Sequence, residues 1–522
     1  MFTSVQHLAE KTRVQPRVAA VALPASPSGE LLDSMRLPAA LRQRVDAAVQ
    51  RKDVTLAAGE TTLSGVESTP ALLLLGLGAA PGSGSGSVSG SQVGEGLEGV
   101  RRAAAAMFEA CERVGLDPVR LYLPGARSLS ASSDAVGRAI AEAVGIASFR
   151  YDDYRGAASS VEKATQPLRL ALPASVQGGY QRGELVCPGV ATARRLAATP
   201  PNAAHPQSLA DRCRALAKKV GLHFHEIDAE EAERLGMGGL LAVGRAGSSP
   251  PRLLVLEHRG SGSRRAAMKS REPVLLVGKA VTFDTGGVSL KPTSSMTGMK
   301  YDMCGGAAVI GAMEAVARLK LPTPVVGLVP CAENLVGQTA FRVDDILTLC
   351  NGVTVEVTNT DAEGRLILAD ALAYGTKLYK PTTVIDLATL TGGVVTALGD
   401  AAAGLFVNDH ELHRRLDIAG EATGERLWRL PLWGEHRDKM RAAHADLRNS
   451  ADRKATSAQG AAFLSFFVGG HAPTSMPTLP WAHLDIAGVA AAEQRRGIFA
   501  KGPTGFGVRL LARYLENLNH DR

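Results

Sequence analysis

The segment Val277-Gly278-Lys279-Ala280-Val281-Thr282-Phe283-Asp284-Thr285-Gly286-Gly287 opens the part of the chain that decides its fold and its chemistry. The same part continues through Lys291 and Asp302 and closes with Asn359-Thr360-Asp361-Ala362-Glu363-Gly364-Arg365-Leu366. Charges at strand ends are costly to bury without partners, so stability alone does not account for this pattern. Because clustered carboxylate oxygens suit hard or borderline divalent metals, the pattern predicts a metal site.

Strands and helices alternate around these residues. The pattern predicts strands at 274–277, 324–330, 353–357 and 383–387, and helices at 305–318 and 366–377. Such alternation is typical of βαβ units, so we predict an α/β fold whose larger catalytic domain has a mostly parallel central sheet flanked by helices. Lys279, Glu333 and Asp361 each follow a predicted strand, where ligands bind in sheets of this kind.

A length of 522 residues predicts more than one domain. We predict a smaller, non-catalytic N-terminal α/β domain at 1–185, with a Gly/Ser-rich surface loop at 82–92. Its strands are expected at 18–23, 71–78 and 119–123 and its helices at 38–49, 100–114 and 135–147. The catalytic domain is expected at 186–522, and includes a helix over 206–220 with Ser208 as its N-cap.

Composition narrows the classes of protein. The net charge of +7, from 58 Lys and Arg against 51 Asp and Glu, permits nucleic-acid binding without demanding it. The six cysteines contain no CxxC pair, which favours a reducing compartment and predicts a cytoplasmic location. Since no apolar run approaches about 18 residues, we expect no transmembrane helix and no membrane partner. The basic segment 259–271 is more typical of a solvated loop than of a nucleic-acid patch.

Simpler interpretations exist for individual residues. Asp361 and Glu363 are two apart, so in extended backbone both would face one site, but they are also compatible with capping the following helix. Asp302 is likewise compatible with a capping role. Lys279 does not belong to a phosphate-binding loop, because Ala280 follows it. Three further residues, His483, Asp485 and Cys304, are more typical of structural roles.

The blocks quoted above, together with Lys291-Pro292 and Met299-Lys300-Tyr301-Asp302-Met303, closely resemble the leucyl aminopeptidase family of two-metal exopeptidases. The resemblance runs from about residue 197 to the C-terminus and includes Ala388-Thr389-Leu390-Thr391-Gly392 and Trp481-Ala482-His483-Leu484-Asp485-Ile486-Ala487-Gly488. The N-terminal third matches only in general α/β character.

The resemblance implies a role for each matching residue. Two divalent metals, zinc or manganese with magnesium or cobalt as alternatives, would be held by Lys279, Asp284, Asp302, Asp361 and Glu363. Lys291 and Arg365 would be the catalytic pair, and Arg365 would hold a bicarbonate ion. The pocket for the first side chain would be lined by Met299, Asn359, Thr389, Leu390 and Gly392. The family further implies removal of N-terminal leucine and similar residues from peptides, by a homohexamer.

Two other hypotheses stay open on the residues alone. The net charge and the segment 259–271 motivate a nucleic-acid-binding role. This role ranks well below the aminopeptidase hypothesis, so nucleic acid is not an expected partner. A phosphatase or nuclease would use the same carboxylates, because paired metals also serve phosphoryl chemistry. The segments 82–92 and 259–271 resemble insertions, and the segment 448–462, which borders the pocket in the family, matches the family only loosely.

Overall fold

The structure is a computed structural model that describes residues 2–8, 15–50, 54–65, 70–79, 92–159, 166–260, 272–469 and 476–520. The chain divides into two compact units: one comprises Met1–Cys187, Glu421–Gly424 and Gln494–Lys501, and the other comprises Pro188–Gly420, Glu425–Glu493 and Gly502–Arg522. The domain ranges 1–185 and 186–522 remain a prediction, since compactness alone does not test where an independently folding domain ends.

The first unit carries a mostly parallel sheet. Its strands are β1 Phe2–Leu8, β2 Val18–Pro24, β3 Thr61–Ser64, β4 Ala71–Gly78, β5 Val119–Tyr122 and β6 Gln166–Ala171. Its helices are α1 Gly29–Ser34, α2 Ala39–Gln50, α3 Gln92–Val114 and α4 Ser133–Ala147, and α5 Ala174–Ala198 begins in this unit. The strand order is β1-β6-β5-β2-β4-β3, and only β3 runs antiparallel to its neighbour among the described strands. The predicted small α/β arrangement is therefore confirmed.

The second unit begins with α6 Pro206–Val220, β7 His223–Ile227, α7 Ala229–Arg234, α8 Gly238–Gly244, β8 Arg252–His258, β9 Val274–Gly278 and β10 Ala280–Asp284. It continues with α9 Thr293–Met296, α10 Cys304–Leu319, β11 Val325–Asn334, β12 Ile346–Thr348, β13 Thr354–Glu356, α11 Gly364–Tyr379 and β14 Thr383–Ala388. The last elements are α12 Gly392–Leu398, β15 Ala403–Val407, α13 His410–Thr423, β16 Leu427–Arg429, α14 Gly434–Asp438, β17 Leu447–Arg448, α15 Thr456–Leu464, β18 Trp481–Asp485, β19 Ala491–Ala492, β20 Gly502–Pro503 and α16 Val508–His520.

The central sheet of this unit has the order β16-β15-β18-β14-β9-β11-β8-β7, and β10 pairs with β11 beside that path. Strands β18, β14, β9, β11 and β10 are mutually parallel along this sheet. Helices α10 and α11 pack against it, and α11 joins the apolar core through residues such as Leu366 and Leu372, which are fully buried with Leu275 and Leu328 of the strands. The predicted parallel sheet flanked by helices is confirmed.

The parallel strands end in a row of chemically active residues. Lys279 follows β9, Asp284 ends β10, Asn334 ends β11 and Thr389 follows β14. Asp485 ends β18, opposite Ala388 in the register with β14. Because parallel strands present their carboxyl ends along one edge, these side chains share one region of the sheet.

Several local predictions need correction. Strand β11 extends to Asn334, so Glu333 lies within the strand and not after it. Its carboxylate accepts hydrogen bonds from Ser248 N at 2.6 Å and Ser249 N at 3.2 Å, which makes it a support for a neighbouring turn. The N-cap of α6 is His205, and Ser208 completes a reciprocal pair of capping bonds from the third helical position.

Within the described residues, no helix is long and apolar enough to cross a bilayer.

Candidate active site

Four carboxylates and two lysines meet at the carboxyl ends of β9 and β10. Lys279 Nζ lies 2.9 Å from Asp302 Oδ1 and 2.8 Å from Glu363 Oε1. Lys291 Nζ lies 2.9 Å from Asp284 Oδ2 and 2.5 Å from Asp361 Oδ1. The two ion-paired groups adjoin, because Asp284, Asp361 and Glu363 offer ligand oxygens within 4.8 Å of one another. The structure thus brings together Lys291 and all five predicted metal ligands.

Glycines allow these side chains to approach closely. A Cβ on Gly364, the first residue of α11, would lie 2.5 Å from Lys279 Cε. Gly286 has a φ of +86°, and a Cβ there would lie 2.9 Å from Asp361 Oδ1 and 2.5 Å from Ser289 O. Positive φ and close approach both favour glycine, so these residues are needed where they stand.

The cluster is buried and unbalanced in charge. Lys279, Asp284, Asp302 and Glu363 are 3%, 2%, 7% and 1% exposed. Two ammonium groups face four carboxylates, so the group carries a formal excess of two negative charges. Burial raises the pKa of Asp302, Glu363 and Asp361, and the neighbouring Asp284 carboxylate raises each of these pKa values further, against the opposing effect of the lysines.

The two lysines hold their protons firmly. Burial by itself would lower the pKa of Lys279, but the carboxylates of Asp302, Glu363 and Asp284 outweigh it and raise that pKa. The pKa of Lys291 is raised in the same way, chiefly by Asp284 and Glu363 against the effect of burial. Each lysine thus has two carboxylate partners that favour its charged form.

Unsatisfied oxygens show that the cluster suits a cation. Within the described chain, Asp302 Oδ2 is buried without a hydrogen-bond partner. Asp361 Oδ1 and Glu363 Oε1 meet lysine ammonium groups but accept no well-directed hydrogen bond. Buried carboxylate oxygens normally find donors, and oxygens left over are the ligands that divalent cations require.

Arg365 is the second residue of α11 and is 6% exposed. Its Nη1 donates to the backbone oxygen of Asn449 at 2.8 Å, while its Nε has no hydrogen-bond partner among the described residues. Burial lowers the pKa of Arg365 to about 10, against the effects of Glu363 and Asp485, so the guanidinium is charged at neutral pH. A buried cation with a spare donor suits an anion.

The predicted pocket residues are all at least partly exposed: Met299, Asn359, Thr389, Leu390 and Gly392. Thr389 touches the cluster directly, because its Oγ1 donates to Asp302 Oδ1 at 2.8 Å and its carbonyl accepts from Lys279 Nζ at 3.0 Å. Asn359 Oδ1 accepts from Asp361 N at 2.9 Å. Leu390 lies against Gly460, where a Cβ would approach Leu390 Cδ2 to 2.8 Å.

The capping interpretations do not hold. The N-cap residue of α10 is Met303 and not Asp302, and that of α11 is Glu363; neither side chain makes a capping bond. The expectation of extended backbone at Asp361 and Glu363 is also wrong. Thr360 and Asp361 form a turn and Glu363 has helical dihedrals, so the turn, not strand alternation, brings the two carboxylates together.

His483 and Asp485 are fully buried. His483 Nδ1 lies 2.5 Å from Asp386 Oδ1, whose other oxygen accepts from Trp481 Nε1 at 2.7 Å. Burial would lower the pKa of His483, but Asp386 outweighs it and raises that pKa. Asp485 accepts from Leu390 N at 3.1 Å and Thr391 Oγ1 at 2.6 Å, so it anchors the loop that carries the predicted pocket residues.

Comparison with known proteins bears on this geometry. The model of the cytosol aminopeptidase family catalytic domain matches residues 191–512, and that of the family's N-terminal domain matches residues 22–157. The chain belongs to the cytosol aminopeptidase family. Members of the family are metal-dependent exopeptidases, so this chain is a hydrolase that removes N-terminal residues from peptides and uses divalent metal. The predicted family, two-domain fold class and enzyme class are confirmed.

Individual relatives agree with the family assignment. A protein of Geobacter sp. (strain M21), named "Probable cytosol aminopeptidase", is 42% identical over 422 residues, which is 80% of this chain and 82% of the relative. One of the same name from Geobacter sulfurreducens is 43% identical over 381 residues, 72% of this chain and 74% of the relative. The solved structure of the bottromycin maturation enzyme BotP in complex with Mn is 32% identical, has a TM-score of 0.78, and is covered over 99% of its length by 96% of this chain.

Some functional residues of this cytosol aminopeptidase were not predicted. Asn449 lies in the segment that matches the family only loosely, yet it is fully buried. Its Oδ1 accepts from Thr358 N at 2.8 Å and its Nδ2 donates to Asn359 O at 2.6 Å, so it holds the turn that carries Asp361. Asn334 was not predicted, because no sequence motif distinguishes a single amide side chain after an apolar run.

The loop 82–92 lies outside the described residues except for the backbone of Gln92. The basic segment 259–271 also lies outside them, beyond Gly260.

Proposed function

We propose that this chain is a leucyl aminopeptidase in which two divalent metal ions act together on the N-terminal peptide bond. The observation that carries the proposal is the net negative cluster of Asp284, Asp302, Asp361 and Glu363, of which all but Asp361 are buried. A single cation would not account for oxygens spread over two ion-paired groups. Their division into one group around Lys279 and another around Lys291 supports two cation positions.

The ligand assignment follows the family resemblance. Asp302 and Lys279 would hold one metal and Asp361 the other, while Asp284 and Glu363 would contact both. Lys279 ligates only as a neutral amine, so its ammonium must give up a proton when metal binds. When bound, two such metals lower the pKa of a shared water and polarise the scissile carbonyl.

Lys291 and Arg365 would act on the substrate. Lys291 reaches the cluster from a loop, and its side chain is 16% exposed against 3% for Lys279, so it lies on the accessible side. There its ammonium would stabilise the negative charge that develops on the carbonyl oxygen. Arg365 never serves as a base, because its proton does not leave at neutral pH. It would instead hold a bicarbonate ion that relays a proton.

Substrate selection would fall to Met299, Asn359, Thr389, Leu390 and Gly392. Thr389 contacts both Asp302 and Lys279, so the pocket would adjoin the metal that receives the free amino group. Leu390 supplies apolar surface that suits leucine. Zinc or manganese is the expected occupant, with magnesium or cobalt as alternatives.

Assembly and location are also proposals. The homohexamer follows from the family resemblance. The cytoplasmic location follows from the six free cysteines, which contain no CxxC pair. Light scattering on the purified chain would measure the assembly. A mass near that of one chain of 54.5 kDa would contradict it.

The function is tested by metal removal and replacement. After dialysis against a chelator, hydrolysis of leucine amide should be lost, and added Mn²⁺ or Zn²⁺ should restore it. Glu363→Gln should bind Mn²⁺ poorly, while the matched control Glu333→Gln, a buried carboxylate outside the cluster, should bind it like the native chain. Hydrolysis that survives complete metal removal would refute the proposal. Turnover of phosphate esters with none of leucine amide would favour the phosphatase hypothesis.

A further inference from the structure

Asn334 joins the two chain segments that carry the cluster. It is the last residue of β11 and is completely buried. Its backbone oxygen accepts from Thr285 N and Thr285 Oγ1, both at 2.9 Å. Its position in the register is opposite Asp284, the last residue of β10. Asn334 therefore supports the strand end from which Asp284 projects.

The side-chain amide makes two further bonds. Asn334 Nδ2 donates to Asp284 Oδ1 at 2.7 Å and to the backbone oxygen of Thr360 at 3.1 Å. Both partners are acceptors, so only the NH₂ end of the amide satisfies them, and this fixes the orientation of the side chain. One amide thereby connects Asp284 to the residue preceding Asp361.

These bonds determine which oxygen of Asp284 is free. Oδ1 receives two donors, Asn334 Nδ2 and Gly286 N at 2.8 Å. Oδ2 faces Lys291 Nζ at 2.9 Å. A carboxylate held at one oxygen does not rotate freely, so Oδ2 stays directed into the cluster.

We propose that Asn334 is a positioning residue for metal binding: it orients the Asp284 carboxylate and sets its separation from the segment that bears Asp361 and Glu363. This inference rests on the proposed two-metal function. Asn334 is not itself a predicted ligand. Residues that hydrogen-bond to ligands in this way orient them in metal sites generally.

A purely structural role explains the amide less well. Asn334 Oδ1 is buried and accepts no hydrogen bond among the described residues, although Gly287, whose φ is +63°, leaves room for it. A buried amide with an unsatisfied oxygen destabilises the fold relative to an apolar side chain of similar shape. The chain tolerates that cost at a position where both amide protons are used on the ligand-bearing segments.

The test compares Asn334→Ala with the matched control Asn408→Ala. Asn408 also bridges backbone groups, since it donates to Pro477 O at 2.7 Å and Leu479 O at 2.9 Å and accepts from Trp481 N at 2.8 Å. Mn²⁺ alone is titrated into the metal-free full-length chain by calorimetry. We expect N334A to raise the Kd by about 10–100-fold. N408A should lower the melting temperature and leave the Kd within about twofold of the native value, because it lies outside the outer shell of the metal site.

Outcomes separate this inference from the function on which it rests. If the native chain binds no Mn²⁺, the proposed function fails. If the native chain binds Mn²⁺ and folded N334A binds it equally well, only the role of Asn334 is overturned. Higher Mn²⁺ should also restore the kcat of N334A, which loss of general stability would not predict.

Asn334→Asp covers the case in which N334A does not fold. The substitution keeps the shape but replaces both N–H donors with an oxygen that faces Asp284 Oδ1. We expect a loss of Mn²⁺ affinity at least as large as in N334A, because like charges then oppose each other. Native affinity in N334D would overturn the inference.

Discussion

Gly364→Ala is the sharpest test of the predicted role of Lys279. The added Cβ would lie 2.5 Å from Lys279 Cε and 2.6 Å from its Nζ. Carbon atoms in contact stand about 3.5–4.0 Å apart, so the end of the lysine must move by roughly 1 Å. Its contacts with Asp302 and Glu363 at 2.9 and 2.8 Å cannot both survive such a shift.

A displacement of that size predicts a specific loss. Misplacing a group by about 1 Å in an active site costs on the order of 10²-fold in rate, which corresponds to ~2.7 kcal/mol of transition-state stabilisation. The assay is kcat/KM for leucine amide at saturating Mn²⁺, with Mn²⁺ affinity measured in parallel. Stability should fall little, because alanine favours helix over glycine by up to about 1 kcal/mol.

Gly375→Ala is the matched control on the same helix. Its Cβ would lie 2.6 Å from Leu328 Cδ1 and 2.8 Å from Leu275 Cδ2, so it meets side-chain ends as closely, but in the apolar core. That variant should lower the melting temperature and leave kcat/KM of the folded enzyme unchanged. If G364A retains kcat/KM within twofold of the native enzyme, Lys279 does not have the role assigned to it.

Three further predictions follow from the cluster. Replacing Lys291 with Met should lower kcat by about 10²–10³-fold with a smaller change in KM, because the ammonium charge matters most in the transition state. Equal changes in kcat and KM would contradict this role of Lys291. Mn²⁺ affinity should rise with pH, by about tenfold per pH unit for each proton released on binding. The reason is that the carboxylates raise the pKa of Lys279 against the effect of burial, so Lys279 must lose a proton when metal binds. An affinity that does not change between pH 6 and pH 8 would refute this prediction. Mn²⁺ at 100 times its Kd should stabilise the catalytic unit by about 2.7 kcal/mol, seen as a higher melting temperature by calorimetry, and no shift would argue against binding to the folded state.

Local sequence patterns predict the fold well where periodicity and burial agree. Strand β4 is apolar throughout and fully buried, and β14 is mostly apolar and nearly fully buried, so their sequences leave little alternative. The ends of helices are predicted less accurately, because tertiary contacts override the local sequence signals there. Helix α5 begins at Ala174 and runs through Pro188, a residue that ordinarily ends or kinks a helix. The reciprocal bonds between His205 and Ser208 likewise depend on a partner that capping preferences do not rank highly.

The active-site cluster was predictable because charge is conspicuous after apolar strands. Lys279 follows the buried strand β9 and Asp284 ends β10, and all five predicted metal ligands have a glycine nearby. Neutral supports carry no such signal. Asn334 and Asn449 act through hydrogen bonds to backbone groups distant in sequence, and only the fold shows which groups those are.

The ion pairs of the cluster offset the charge of its carboxylates. Lys279 and Lys291 compensate four clustered carboxylates, of which Asp284, Asp302 and Glu363 are buried, because an uncompensated group of this kind would be strongly destabilising. The remaining excess of negative charge cannot be relieved by rotating side chains, since Asp284 is held by Gly286 and Asn334, and Asp302 is held by Thr389. The carboxylate oxygens that would hold a metal are therefore kept in place by neutral donors. Outer partners of this kind tune metal affinity together with the charged ligands, which is why Asn334 and Thr389 matter to the proposed site.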